Sequence, residues 1–473
     1  MTGGCTGISQ PHTSVHSPLI PPIEINTTTA SSAPYCPPST VPNEIEIELP
    51  ETSLKIGDLE RFRQSISLYA QNNAIDHDDF MEVQKRFESY FFSPWDCIPS
   101  TKADDAAWPL RAFKGGYGSN LRPVTSEWIS DMQIQTNFNA FGTLNQKGIA
   151  VKWMNVRSLP TEKPLYRNPT LPGEGYPFDL LQNSSINYGE PLYVSHYSKD
   201  GAWAYIFTNS ISGWVQSDGI ALMDEPSIQE YRQKQKIFLL RDKIPLYDEQ
   251  HRFVTYSRIG MLLSLEKEDD ENYYATGYLY PQNRILLTIP KSIANMGISK
   301  MDKNALASVG EELLKNTYGW GGMYGERDCS SMLRDMFAPF GIWLPRNSSA
   351  QSKKGEILSF NGFSNDEKLD LIKTQAIPFE TIIYLKGHVL LYIGTYEGNV
   401  MVFHNIWGIR TIDKNGKKGR NIVGKAVIST LGLGSELEDF DPDNSLLTRA
   451  QSMNIFTASP LLLSKGKKLS FSR

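Results

Sequence analysis

The chain holds four cysteines and seven histidines in 473 residues, and three of these side chains are spaced for nucleophilic catalysis. Cys329 stands between Asp328 and Ser330, at the start of an expected helix whose inward face is Met332, Leu333, Met336, Phe337 and Phe340. The free N–H groups and positive end of a helix favour thiolate over thiol, lowering a pKa that starts near about 8.5. The other reading of a lone cysteine is a buried, inert thiol. His388 and His404 share this region of the chain, on neighbouring expected strands joined by a turn at 396–399. A thiol nucleophile needs a base to take its proton and a third polar group to orient that base. The pattern gives His388 the first role and His404 the second; two surface strand histidines are the alternative.

The elements that must position these groups run helix first, then antiparallel strands, which is an α+β order. Asp302 can cap a helix with Leu306, Val309, Leu313 and Leu314 on one apolar face, and the Gly-rich turn at 319–322 ends it. The Cys329 helix follows, then strands at 381–385, 388–393 and 400–404. Upstream, residues 145–296 read as β. Glu190 to Thr208 forms two strands around a turn at 199–201, and Gly213 to Val215 forms another. A weak internal echo supports two consecutive small barrels of SH3 type: Arg157 precedes Pro164-Leu-Tyr166, and Arg241 precedes Pro245-Leu-Tyr247. Helical spacing recurs at Leu59, Phe62, Ile66 and Tyr69, and at Phe80, Val83, Phe87 and Phe91, until Pro94 breaks it. That stretch reads as a helical cap.

Composition narrows the class of function. Lys and Arg number 47 against 52 Asp and Glu, a formal charge of −5, so no basic excess exists for general nucleic-acid binding. No apolar run reaches the roughly 18 residues of a bilayer span. Cys5, Cys36, Cys97 and Cys329 show no C-x-x-C spacing, which argues against a zinc site or a dense disulfide framework. The first 42 residues, rich in Pro, Ser, Thr and Ile, read as an extended tether. The start Met1-Thr-Gly-Gly-Cys5 resembles the end of a bacterial lipoprotein signal, with Cys5 as the lipidated residue. The basic and apolar regions of such a signal are missing, and a plain tail cysteine is the other reading.

The strings Tyr318-Gly-Trp-Gly-Gly322, Asp328-Cys-Ser330, Gly341-Ile-Trp-Leu-Pro-Arg346 with Gln351, Gly387-His-Val-Leu-Leu-Tyr-Ile-Gly394 and Phe403-His-Asn405 occur in one order. That order resembles the NlpC/P60 cysteine peptidases over residues 300–430. The upstream arrangement, with Pro94-Trp95, is similar to the subgroup with an N-terminal cap and two SH3-like barrels. The resemblance implies a papain-like α+β catalytic domain at 300–435 and a C-terminal extension at 436–473. Before them it places a tether at 1–42, a mainly helical cap at 43–144, and SH3-like β-barrels at 145–224 and 225–299.

It further implies hydrolysis of peptidoglycan stem peptides in the cell envelope or periplasm, at the bond from the γ-carboxyl of D-glutamate to an L-diamino acid such as diaminopimelate. By position, Cys329 is the nucleophile, His388 the base and His404 the third member. Tyr318 matches the tyrosine that stabilises the oxyanion, or else packs under the turn. Asp328, Ser330, Arg346 and Ser348 match positions shaping the substrate pocket, with bracing of the loop as the other role for Arg346. Tyr176, in a long loop of the first barrel, either reaches the site from above or packs. Members that demand a free N-terminal L-alanine carry Asp directly after this Arg; here Asn347 is neutral, which puts strict selection for a free amine in doubt. No metal or organic cofactor is implied. A murein amidase or acyl transferase with the same Cys–His pair is one alternative, and a non-catalytic wall-binding SH3 protein is another. Intact Tyr318, Cys329, His388 and His404 argue against the latter.

Overall fold

The computed structural model describes residues 55–70 and 80–457; the expected tether, with Cys5 and Cys36, lies outside them. Three antiparallel sheets carry the described chain. The first comprises β1 (Gln146–Ala150), β2 (Met154–Arg157), β3 (Gln182–Ile186), β4 (Pro191–Tyr197), β5 (Trp203–Phe207), β6 (Ser212–Gln216) and β7 (Ile220–Leu222), in the spatial order β3-β2-β6-β5-β4-β1-β7. Side chains alternate across a strand, and both faces here are apolar. Leu192, Val194, Ala204 and Ile206 fill the interior of the sheet. Tyr193, Trp203, Tyr205 and Phe207 turn outward and are covered by Phe138 and Phe141 of the helical cap.

The second sheet comprises β8 (Lys236–Leu239), β9 (Pro245–Asp248), β10 (Phe253–Tyr256), β11 (Leu262–Glu268), β12 (Asn272–Leu279), β13 (Asn283–Pro290) and β14 (Ala294–Met296). Its order, β10-β9-β13-β12-β11-β8-β14, repeats the first strand for strand. Neither sheet closes into the expected barrel. The outermost strands β7 and β14 are three residues long, too short to bridge back, and the outer edge of β3 is covered by the Gly-rich turn rather than by another strand. The repeat is also out of register with its sequence echo: Pro245-Leu-Tyr247 lies in β9, whereas Pro164-Leu-Tyr166 lies in the loop after β2, the counterpart of β9.

The third sheet holds the chemistry. Its strands are β15 (Glu356–Ser359), β16 (Thr381–Leu385), β17 (His388–Tyr396), β18 (Asn399–Ile412), β19 (Lys418–Thr430) and β20 (Ala450–Ile455), ordered β15-β20-β16-β17-β18-β19. The sheet therefore runs past residue 435, with β20 paired between β15 and β16. Period-two alternation sends Val389, Leu391, Ile393, Met401 and Phe403 to one face. There they meet Leu306, Val309 and Leu313 of the helix Lys303–Leu314, and Met332, Leu333, Met336 and Phe337 of the helix Cys329–Phe337. Leu390, Tyr392, Val400 and Val402 take the other face, against Ile372 of the helix Asn365–Gln375.

The cap is pinned at both ends. Trp95 is buried and donates its indole N–H to the Gly148 carbonyl at 2.8 Å, and the helix Phe80–Phe91 packs Phe87 against Phe238 of β8. Residues 55–70 form two short helices, Gly57–Arg61 and Ile66–Tyr69, rather than a continuous one. Between them Gln64 reaches sideways, exchanging hydrogen bonds with the Ile428 carbonyl (2.7 Å) and N–H (2.8 Å) on β19. Among the described residues no helix is long and apolar enough to cross a membrane.

Candidate active site

Cys329 opens its helix, and Asp328 caps it. The Asp328 carboxylate accepts the Ser331 N–H at 2.9 Å while Ser331 Oγ accepts the Asp328 N–H at 2.9 Å, a reciprocal capping box. The sulfur is buried, and the N–H groups of Val389 and Ser330 face it. Val389 follows His388, so the start of β17 carries both a histidine and the backbone donor that faces the thiol.

The imidazoles form a directional chain. His388 Nε2 lies 3.0 Å from His404 Nδ1, and His404 Nε2 lies 3.0 Å from Ser429 Oγ on β19. The Ser429 hydroxyl donates to the Thr430 carbonyl at 2.9 Å, so its oxygen must accept from His404 Nε2–H. His404 Nδ1 then carries a lone pair and accepts from His388 Nε2–H, which leaves the lone pair of His388 on Nδ1. A common serine thus sets the tautomer of the rarer histidines. Sequence reasoning missed it, because serine has no distinguishing signal until β18 and β19 are in register.

The electrostatics correct one expectation. Burial pushes the Cys329 thiol up to about 12, and the Asp328 carboxylate pushes the same way; the two N–H donors and Arg346 do not offset them. The helix end that should favour a thiolate is occupied by a capping carboxylate whose charge opposes it. Burial first, then the Arg449 charge, brings His388 down to about 3. His404 falls well below its ordinary value through burial and the charge of His388. Both shifts favour the neutral forms, thiol and imidazole.

Tyr318 and His388 line one cleft of about 260 Å³, together with Phe178, Trp320, Trp407 and Arg420. Burial raises the Tyr318 hydroxyl well above its ordinary value, with Cys329 and Asp328 contributing next. It remains a protonated donor within the field of the thiol. Asp328, Ser330 and Arg346 sit beneath this floor, buried and mutually satisfied. Arg346 forks onto Asp328 at 2.7 and 3.1 Å, donates to Ser330 Oγ at 2.9 Å, and reaches Ser184 Oγ on β3 at 2.7 Å. Asn347 is exposed and its amide oxygen caps the short helix Ser348–Gln351, accepting the Ala350 N–H at 2.8 Å. Ser348 begins that helix and is half-buried. Tyr176 is 58% exposed and meets Trp407 edge to face at 5.8 Å.

Two further groups have no counterpart in the sequence reading. Arg327, directly before Asp328, is fully buried among Asp242, Asp335 and Asn316. Asp335 also takes Arg258 of the second sheet's domain at 3.1 Å. This network holds the turn that carries Asp328 and Cys329. The other group is Arg410, Arg420 and Arg449, which line the cleft around His388. The segment 410–420 carries five Lys or Arg against the single Asp413, a bias visible in the sequence although its direction is not. Among the described residues, no group of three or more His, Cys, Asp or Glu is placed to hold a metal.

Comparison with known proteins follows the same divisions. Residues 26–141 match the N-terminal stabilising domain of NlpC/P60 proteins, 164–216 an SH3 domain of the SH3b1 type, 224–270 an SH3 domain of the SH3b2 type, and 315–419 the NlpC/P60 family. Among solved structures, an NlpC/P60 endopeptidase from Photobacterium damselae subsp. piscicida is 26% identical with a TM-score of 0.75, over 84% of this chain and 98% of that one. An NlpC/P60 family protein from Bacillus cereus is 17% identical with a TM-score of 0.45, over 66% and 99%. No curated protein matches the chain.

Proposed function

We propose, for a chain that belongs to the NlpC/P60 family of cysteine peptidases, that it hydrolyses peptidoglycan stem peptides in the cell envelope, at the γ-D-glutamyl–diamino acid bond. The observation that carries this reading is the directed chain from Thr430 through Ser429 and His404 to His388. It leaves the free ring lone pair of the two histidines on His388 Nδ1, on the strand that also supplies a donor to the Cys329 sulfur.

In the first half-reaction the Cys329 sulfur attacks the amide carbon as His388 Nδ1 takes the thiol proton. Because both partners rest uncharged, proton transfer accompanies attack rather than preceding it. The Tyr318 hydroxyl donates to the oxyanion; a single such donor contributes about 10²–10³ in rate. His388 then returns the proton to the departing amine, the C–N bond breaks, and a thioester remains. In the second half-reaction His388 takes a proton from water as its oxygen attacks the thioester, and the thiol leaves with that proton. His404 keeps the ring oriented and favours the charged intermediate.

Digestion of purified murein, with the cut bond identified by mass spectrometry, tests the reading. The wild type should release fragments ending in γ-linked D-glutamate, and Cys329→Ser should release at least about 10⁴-fold fewer. Cleavage at another bond, or a Cys329→Ser enzyme within tenfold of wild type, would overturn it.

A further inference from the structure

Among the described residues, the cleft around His388 is lined by four cations and no carboxylate: Lys386, Arg410, Arg420 and Arg449. Each guanidinium finds only neutral acceptors among them. Arg410 donates to Asn444 Oδ1 at 2.7 Å, and Arg449 reaches the Lys386 carbonyl at 3.3 Å. Arg420 touches the Gly408 carbonyl at 3.5 Å, while its buried Nε has no partner among the described residues. Elsewhere the buried arginines of this chain behave differently: Arg157, Arg258, Arg327 and Arg346 are each paired with an aspartate.

The arrangement is costly. Arg410 and Arg420 sit directly opposite one another on β18 and β19, where like charges destabilise a strand pair. Burial and the neighbouring arginines draw down Arg420 and Arg449. An unpaired buried donor further costs about 1–3 kcal/mol. A fold that keeps three unneutralised guanidinium groups around one cleft is complementary to an anion with several acceptor oxygens. Arginine's planar fork suits carboxylates.

We infer that Arg410, Arg420 and Arg449 form a subsite for a substrate arm bearing at least two free carboxylates, beside the His388 end of the cleft. The inference rests on the peptidase reading above and narrows it. A γ-linked D-glutamate keeps its α-carboxylate, and diaminopimelate adds two more. Stem peptides whose carboxylates are amidated present the same backbone without the charge, and are the substrates this cleft rejects.

The full chain carrying Cys329→Ala, titrated calorimetrically, separates binding from turnover. The probes are L-alanyl-γ-D-glutamyl-meso-diaminopimelate and the same tripeptide amidated at its side-chain and α-carboxylates. The acid form should bind at least tenfold more tightly. Adding Arg420→Gln should weaken the acid form tenfold or more and leave the amidated form within twofold. Arg420→Lys should recover part of the loss, and Arg410→Gln, at an exposed position, should move the preference the same way. Equal affinity for the two forms, equal losses on both, or no binding of either overturns the subsite. Turnover by the enzyme with Cys329 intact is scored separately. Carboxylate-selective binding without cleavage would keep the subsite and sink the peptidase reading. Equal binding and equal cleavage of both forms would do the reverse.

Discussion

The two SH3 domains share one strand order and do opposite work at the cleft. In the first, the connection from β2 to β3 spans 158–181; in the second, the equivalent connection from β9 to β10 spans 249–252. The long loop is tied down at its root by the buried Arg157–Asp179 pair at 2.6 Å, and Trp320 donates to the Asp179 carbonyl at 2.9 Å. Its tip then lays Gly173, Tyr176 and Phe178 beside Trp407 and Arg420. The second domain sends no residue there. It contributes Asp242 and Arg258 to the buried network under Arg327 and Asp335. The same topology thus walls the cleft beside His388 in one copy and braces the turn that carries Cys329 in the other. The difference lies in loop length and in where charge is buried.

This division can be broken from either side. The largest effect belongs to the brace: Arg327→Met leaves Asp242 and Asp335 charged and buried, and should cost about 3–5 kcal/mol of stability by denaturant unfolding. A loss below about 1 kcal/mol would mean that the second domain does not hold the turn.

The same burial keeps Cys329 protonated, which gives a signed pH dependence. With the thiol pushed up to about 12, thiolate is scarce at neutral pH and grows with hydroxide. Alkylation of Cys329 by iodoacetamide, followed on the Cys329 peptide by mass spectrometry, should therefore rise about tenfold per pH unit from pH 6 to 10 without a plateau. A plateau in the acid range would mean a preformed thiolate–imidazolium pair.

On the side of the long loop the expected effects are smaller and, on the proposed reading, fall on substrate use. Gly173 has φ +78°, and any Cβ there would lie 2.6 Å from Arg420 Nη2. Gly173→Val should raise KM about tenfold, equivalent to roughly 1.4 kcal/mol, while unfolding shifts by less than the Arg327 variant. Tyr176→Ala removes one aromatic edge contact and should change kcat/KM by about threefold, with stability held within about 0.5 kcal/mol. A Tyr176 variant that unfolds the protein would erase the contrast between the domains.

Much of this was legible in the residues. Cys329, His388 and His404 are rare types, and helix-then-strand order assigns them to one domain, where the two histidines meet. The capped helix at Asp302 and the hairpin around 199–201 follow from local turn and capping chemistry, which acts over a few positions. What stayed hidden depends on non-local geometry. The state of the thiol is decided by burial and by the Asp328 charge rather than by the helix end. Ser429 matters only because β19 is in register with β18. Arg410 and Arg420 show as a basic bias, yet only strand pairing turns both toward His388. The two SH3 copies were readable as a repeat, whereas their open edges were not, since closure depends on what covers β3.

The place of β20 has a consequence for timing. Residues 450–455 supply the strand between β15 and β16, so the edge strand β15 stays separated from the rest of the sheet until almost all of the described chain has emerged. Both SH3 domains and the Cys329 helix are made before it. Until that strand is inserted, β16 presents an open edge, although β17, which carries His388, already pairs with β16 and β18. A nascent or clipped chain ending short of residue 450 would therefore carry the thiol and both histidines on a sheet that lacks β20 and leaves one edge of β16 unpaired.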